Sequence, residues 1–406
     1  MARFSKKINR RRTKRQQRKS RQGKRRSSKF LLRSIFKGGE LTETGIPPKN
    51  ILLIIDPQND FSDAKSHIRE AAGSLAVSGA SADYEKIIEF INKNNNKIHE
   101  IHVSLDTHTD RHIGHPKFWQ VKIDETKDDT DDTNWIDATD EHGLSMLSID
   151  NNNKITGLDI KTTPPTKRTF CPKKYDADSY PALCTYVNNY LHFFDRTVDD
   201  NGNIIEFTNP ENKHKQVAWI WITHCIEGTP GHNVAQELEF KLNEFAKTKV
   251  TNDGRFNSKV FYHIKGQNNL AEMYSIFSAE KPVSIETINP YLYTGSYLGK
   301  KYINTGAPTY EQAATSYNPD TTRNTTLMDQ LLGTNNKIYV CGQAKTHCVK
   351  SSIIDLMEYA KDKNITDTNR IVLLADMSSP IIGVPNDIEE IVEKNGFTVL
   401  KDVPEI

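Results

Sequence analysis

Apolar residues recur along this chain in short unbroken runs, separated by stretches with a longer period. The first run, Ile51-Leu52-Leu53-Ile54-Ile55, closes on Asp56 without any alternation, the pattern of a strand buried on both faces. Segments 98–106, 217–224, 259–265, 337–342 and 371–376 read the same way. Between several of them the period becomes helical. Residues 82–93 put Tyr84, Ile87, Ile88 and Ile91 on one face, and residues 235–246 do so with Leu238, Leu242 and Phe245. The residues after Cys348, 351–357, also read as a helix. Strands alternating with helices predict an α/β fold with a parallel sheet covered on both faces.

Two stretches break the rhythm. Residues 124–215 are rich in Asp, Asn, Thr and Lys with one helical pattern near 182–194, and read as a large insertion between the second and third strands. Residues 287–325 form a second excursion of Tyr, Thr, Gly and Asn. Long loops in α/β enzymes build lids and substrate walls, or are neutral surface insertions.

The net charge of +2 conceals an asymmetry. Residues 1–40 hold seventeen of the 54 Lys and Arg but only one of the 52 acids, Glu40, so 37 basic and 51 acidic residues remain, about −14 for the body. The first 40 residues therefore read as a disordered basic tail, ending near Gly38-Gly39, and residues 41–406 as one folded domain. Such a tail suits a nucleic acid or an import receptor. No run of about eighteen apolar residues follows it, which excludes a membrane span, and no apolar core follows the charges as a secretory signal requires. Cys171, Cys184, Cys225, Cys341 and Cys348 are odd in number and irregular in spacing, which argues against a disulfide framework and for a reducing compartment, cytoplasmic or nuclear.

Candidate chemistry lies at the strand ends, where open α/β sheets bind their ligands. Asp56 closes the first strand, Asp106 and His108 the second, His224 the third and Lys265 the fourth, while Cys348 follows the fifth beyond a glycine turn. A thiol at a strand-to-helix corner meets the helix amides and dipole, which favour a thiolate and can serve as an oxyanion hole. Asp56 can take a proton from such a thiol and return it to a leaving group, and Lys265 can stabilise the charges. Asp106, His108 and His224 make an Asp/His/His set of the kind that holds Zn²⁺, Fe²⁺ or Mn²⁺, with His112 and His115 as rivals for the third position.

These residues sit in blocks that resemble the nicotinamidase and isochorismatase-like cysteine hydrolases. The blocks are Leu53-Ile54-Ile55-Asp56-Pro57-Gln58-Asn59-Asp60-Phe61, Gly73-Ser74-Leu75-Ala76-Val77-Ser78-Gly79-Ala80, Ser104-Leu105-Asp106-Thr107-His108, and Trp221 through Gly231. Lys265-Gly266, Tyr274-Ser275 and Gly342-Gln343-Ala344-Lys345-Thr346-His347-Cys348-Val349 complete them, over residues 50–400 apart from the two insertions. The resemblance implies a three-layer α-β-α, Rossmann-like fold with a six-stranded, mostly parallel sheet. It implies an Asp56/Lys265/Cys348 triad, a cis peptide near Gln343-Ala344, and oxyanion donors at the Ala344 and Cys348 amides. It also implies a divalent metal, zinc first and iron or manganese next, on Asp106, His108 and His224.

The activity implied is hydrolysis of nicotinamide to nicotinate and ammonia, in NAD salvage. The expected partners are a small-molecule amide and, for a self-associating chain, a second copy. Alternatives are another small amide, an isochorismate-like ether, and a retired fold tethered to nucleic acid or an assembly by its tail. Where the family commonly reads Gly-x-Ala-Thr-Asp-Tyr-Cys-Val, this chain has Lys345, Thr346 and His347 before Cys348, and those positions lie at the substrate mouth. Phe61, Trp119 and His347 are the candidate substrate contacts.

Overall fold

A computed structural model describes residues 48–64, 71–159, 162–174, 180–199, 204–248, 260–283 and 321–406. The basic tail and residues 287–320 of the second excursion lie outside them. In chain order the elements are β1 (Asn50–Ile55), α1 (Ala80–Asn94), β2 (Glu100–Asp106), β3 (Trp119–Lys122), β4 (Trp135–Asp137), β5 (Ser145–Ile149), β6 (Ile155–Asp159) and β7 (Thr166–Pro172). They continue through α2 (Tyr180–His192), β8 (Arg196–Val198), β9 (Ile204–Phe207), β10 (Ala218–Ile220), α3 (Gln236–Thr248), β11 (Val260–Lys265), α4 (Thr325–Leu332) and β12 (Lys337–Gly342). The last are α5 (Lys350–Asp362), β13 (Ile371–Leu374), α6 (Ile388–Lys394) and β14 (Thr398–Leu400).

The central sheet has six strands in the order β11-β2-β1-β12-β13-β14. Every neighbouring pair in it is parallel, as the unalternating apolar runs require. Because successive side chains point to opposite faces, β1 feeds two cores. Ile51, Leu53 and Ile55 pack with Leu327, Met328 and Leu331 of α4, with Ile353 and Leu356 of α5, and with Ile388 of α6. Leu52 and Ile54 pack on the other face with Ile87 and Phe90 of α1 and Leu238 and Leu242 of α3. Leu53 is wholly buried, so its truncation to Ala costs about 2–5 kcal/mol.

Two expectations need correction. The third apolar segment, 217–224, contributes no strand to the central sheet. Its residues Ala218–Ile220 pair antiparallel with β5, and the sixth central strand is β14, three half-buried residues beside β13. A buried run has the same apolar pattern in either sheet, whereas a short edge strand has no run at all.

The insertion is more than loop. With residues just outside it, it builds a second six-stranded sheet, β10-β5-β6-β7-β3-β4, whose pairs are antiparallel. Helix α2 covers this sheet with Tyr186, Val187, Tyr190 and Leu191, in a third core that includes Trp119, Val121, Phe170 and Ile220. Apart from β10, which lay in the 217–224 run, these strands escape sequence reading because they are short, mix polar with apolar positions, and are separated by polar loops.

A buried ionic cluster joins this lobe to the central layers. His214 faces Glu280 Oε2 at 2.8 Å through Nδ1 and Asp355 Oδ1 at 3.1 Å through Nε2. The hydroxyls of Ser275 and Ser278 donate to Asp355 Oδ2 at 2.6 and 2.7 Å, pinning the loop after β11 onto α5. Burial opposes a charge on His214, but Glu280 and Asp355 outweigh it and push its pKa up to about 10. Among the described residues no helix is long and apolar enough to cross a membrane.

Candidate functional site

The turn that carries Cys348 is built by close approach. Gly342 ends β12 with φ +116°, and a Cβ there would collide with the carbonyl of Ile55. The left-handed geometry and the contact both call for glycine. The Gln343–Ala344 peptide is cis. One wide turn, Lys345–Val349, closes with Val349 N–H donating to Ala344 O at 3.2 Å, and α5 follows. Gln343 donates its side-chain amide to Asp83 at 2.8 Å, Lys345 N–H to Ser379 O at 2.8 Å, and Gln216 Nε2 to Thr346 O at 3.0 Å, so the turn is held from three directions. Cys348 is 5 % exposed.

Asp56, Lys265 and Cys348 meet behind this turn. Asp56 follows β1 in left-handed backbone, φ 43°, fully buried. Lys265, the last residue of β11, lies in register with Asp106 of β2. Its ammonium stands 3.0 Å from Asp56 Oδ2, 3.0 Å from Asp106 Oδ1, 2.9 Å from the Met273 carbonyl and 3.7 Å from Cys348 Sγ. Ser104, on the same face of β2 as Asp106, donates its hydroxyl to Asp56 Oδ1 at 2.6 Å and accepts the Asp56 N–H at 3.0 Å. Sequence reading missed Ser104 as a partner, although a serine two residues before Asp106 within a buried strand was the available signal.

The electrostatics divide the two carboxylates. Burial raises the Asp56 pKa, and the opposing attraction of Lys265 does not cancel it. Burial also works to raise Asp106, but His108 and Lys265 overcome it and hold the carboxyl well below its usual range. Lys265 remains an ammonium because Asp106 and Asp56 outweigh its burial. Burial pushes the Cys348 thiol well up against the pull of Lys265, with Asp56 and Asp106 adding to the rise. Burial and the two carboxylates therefore favour the thiol form of Cys348, whereas the helix start alone favours a thiolate. A partner with raised affinity for a proton, Asp56, stands beside the same ammonium.

The metal candidates also converge. His108 Nε2 lies 3.0 Å and His224 Nε2 3.4 Å from Asp106 Oδ2. Each ring is turned there by its other nitrogen, with His108 Nδ1 bonded to Gly266 O at 2.9 Å and His224 Nδ1 to Ile222 O at 2.7 Å. That outer support is what orients metal-ligating imidazoles. His115 joins the group, with Nε2 3.2 Å from His224 Nδ1. Candidate ligand atoms of His108, His115 and His224 fall within 4.8 Å of one another, as do those of His108, His112 and Glu272. Burial depresses the pKa of His112 and His115 and so keeps them in the neutral form that binds metals. Burial opposes charge on His108, yet Asp106 draws a positive charge onto it. The donor set fits a divalent cation. His112 is the weaker ligand candidate, since Gly114 N–H donates to its Nδ1 at 3.1 Å and its Nε2 meets Ala271 O at 3.1 Å.

The three substrate-contact candidates separate. The ring of Phe61 lies 5.6 Å from that of His224, beside the candidate metal ligands. His347 is enclosed by Trp221 and Tyr274, with centroids at 5.0 and 5.1 Å, and its buried Nε2 has no hydrogen-bond partner. Burial, with Lys350 adding to it, lowers the His347 pKa to about 3. Trp119 is instead fully buried in the core of the second lobe, its ring N–H donating to Ile113 O at 2.8 Å. Trp221 and Tyr274, joined by a Trp221 Nε1–Tyr274 OH bond of 2.9 Å, are the aromatic neighbours of the nucleophile turn that sequence reading left without a role.

No family model matches the chain, and no curated protein does. Among solved structures it is similar to the yeast nicotinamidase Pnc1p, at 16% identity and TM-score 0.42, covering 86% of this chain and 99% of that one. It is also similar to a Pyrococcus horikoshii pyrazinamidase solved in complex with zinc, at 14% identity and TM-score 0.37, covering 87% and 99%. A Thermoplasma acidophilum N-carbamoylsarcosine amidase is similar at 13% identity and TM-score 0.35, covering 88% and 98%. At these values no residue role passes from those proteins to this chain.

Proposed function

We propose that this chain is a cysteine-dependent amidase, hydrolysing a small amide of the nicotinamide type to its acid and ammonia. The observation that carries the reading is the placement of one ammonium, Lys265, 3.0 Å from the Asp56 carboxylate and 3.7 Å from the Cys348 sulfur. Asp56 takes the thiol proton as Cys348 Sγ attacks the amide carbonyl carbon. The oxyanion forms at the start of the turn, where the Ala344 and Cys348 amides are its donors. Asp56 then delivers its proton to the nitrogen, the C–N bond breaks, and ammonia leaves a thioester on Cys348. Water attacks the thioester, Asp56 takes its proton, and the acid departs with the thiol restored.

Asp106, His108 and His224, with His115, would hold the divalent ion, for which a set of three imidazoles and one carboxylate suits zinc first and iron or manganese next. Bound there, it offers a Lewis-acid position to a ring nitrogen or a water molecule. Phe61, beside His224, suits the wall of a flat ring, and His347 suits a polar contact to substrate through its unpartnered Nε2. For the basic tail we propose a separate anionic partner, a nucleic acid or an import receptor, on charge alone.

Ammonia release from purified protein tests the reading, over nicotinamide and related small amides. Release that disappears in Cys348→Ala supports it. Absence of release from every amide, or release equal in the variant, overturns it.

A further inference from the structure

A cavity of about 600 Å³ lies beside the nucleophile turn, within the size range of sites for small organic ligands. Its lining includes Phe207, Val217 and Trp219 of the second lobe, Thr346 and Lys350 at the start of α5, and Val384 with Pro385. One part is thus apolar and aromatic. The remainder carries the ammonium groups of Lys213, Lys215 and Lys350 against the carboxylates of Glu206 and Asp387.

These cations are not equivalent. Lys350 is paired with Asp387 at 2.8 Å, and Lys213 with Asp355 at 2.9 Å and Glu358 at 2.7 Å. Lys215 forms no ion pair among the described residues, and its backbone is held left-handed at φ 53°, an unfavourable conformation for lysine. The cavity therefore combines an aromatic wall with one uncommitted positive charge.

We propose that this cavity binds a small aromatic carboxylate, its flat body against Trp219 and its charge at Lys215. Such a ligand buries apolar area on the ring while its anion remains near the open end, where desolvation is small. Cys348 is not among its lining residues, but the cavity reaches the same turn through Thr346. Trp219 lies 5.3 Å from Trp221, which lies 5.0 Å from His347, and Gln216 in the same lining bonds to Thr346 O.

Calorimetric titration of the full chain with 2-naphthoate tests this, with 2-naphthylmethanol as the neutral analogue and octanoate as the alkyl anion. The expected result is saturable one-to-one binding of 2-naphthoate, at least tenfold tighter than either comparison ligand, and weakened at least tenfold by Lys215→Glu. Lys215 is exposed, so that variant retains the fold, and unchanged circular dichroism checks it. No saturable binding, equal affinity for the alcohol or for octanoate, or affinity untouched by Lys215→Glu overturns the proposal. Turnover is not measured, so a negative result leaves the amidase reading standing.

Discussion

Ser104 donates its hydroxyl to the Asp56 carboxylate at 2.6 Å, a buried contact between two neighbouring strands of the central sheet. The bond favours the ionised carboxylate, the form that accepts the thiol proton. Ser104→Ala raises the Asp56 pKa further above its ordinary value, where burial has already put it. A base must be ionised to act, so the acid limb of kcat/KM moves to higher pH while the alkaline limb stays in place. The pH profile of ammonia release, wild type against variant, measures this.

Asp56→Asn keeps the shape of the side chain and removes the base. General acid–base catalysis contributes about 10²- to 10⁴-fold, so kcat falls by that order while KM changes little. Steady-state kinetics at one pH separates this from a binding defect, in which KM would rise and kcat would hold.

The proposed metal site gathers His108 and His224 at Asp106, with His115 beside His224. His224→Ala removes a nitrogen 3.4 Å from Asp106 Oδ2, and His115→Ala removes one 3.2 Å from His224 Nδ1. Each variant is expected to bind zinc at least tenfold more weakly, as changes around metal sites commonly do. Atomic absorption after dialysis against a graded chelator series gives the comparison, and retention equal to wild type in both variants would remove these residues from the site.

His214 supplies a stability prediction with a definite sign. Its folded pKa, about 10, lies above the ordinary histidine value. The stabilisation is therefore full below the unfolded value of about 6.5 and is lost as pH rises through 10. His214→Ala takes the imidazole from Glu280 and leaves Asp355 with Lys213, Ser275 and Ser278, at a cost of about 3 kcal/mol. Urea unfolding at pH 6, 8 and 10 is expected to show the gap between wild type and variant narrowing toward the highest pH.

Much of the central sheet was legible because its strands are buried on both faces and read as unbroken apolar runs. Asp56, Asp106, His108 and Lys265 were legible because they interrupt such runs at their carboxyl ends, where a parallel sheet gathers its ligands. His224 reaches Asp106 by a route other than the one its sequence position suggests. It follows a strand of the second sheet, and the Ile222 carbonyl, rather than a central strand end, aims its ring. Most of the second sheet was illegible because its strands are short and mix polar with apolar positions, and β10, the one that lay in an apolar run, read as a central strand. The protonation of Cys348 was beyond sequence as well, since the helix start is local while the burial and the two carboxylates that oppose it come from distant segments. Trp119 shows the converse, a large aromatic whose side-chain type suits a ring wall or a core equally, and which this fold commits to the core.

The central claim is that Cys348 Sγ carries the acyl group between two half-reactions. Rapid acid quench of the protein turning over its amide, followed by peptide mass analysis, tests it directly. The account predicts a mass increase equal to the acyl group on the Cys348 peptide, discharged by hydroxylamine and missing in Cys348→Ala. Steady turnover that persists in Cys348→Ala, with no adduct at any quench time, would contradict it.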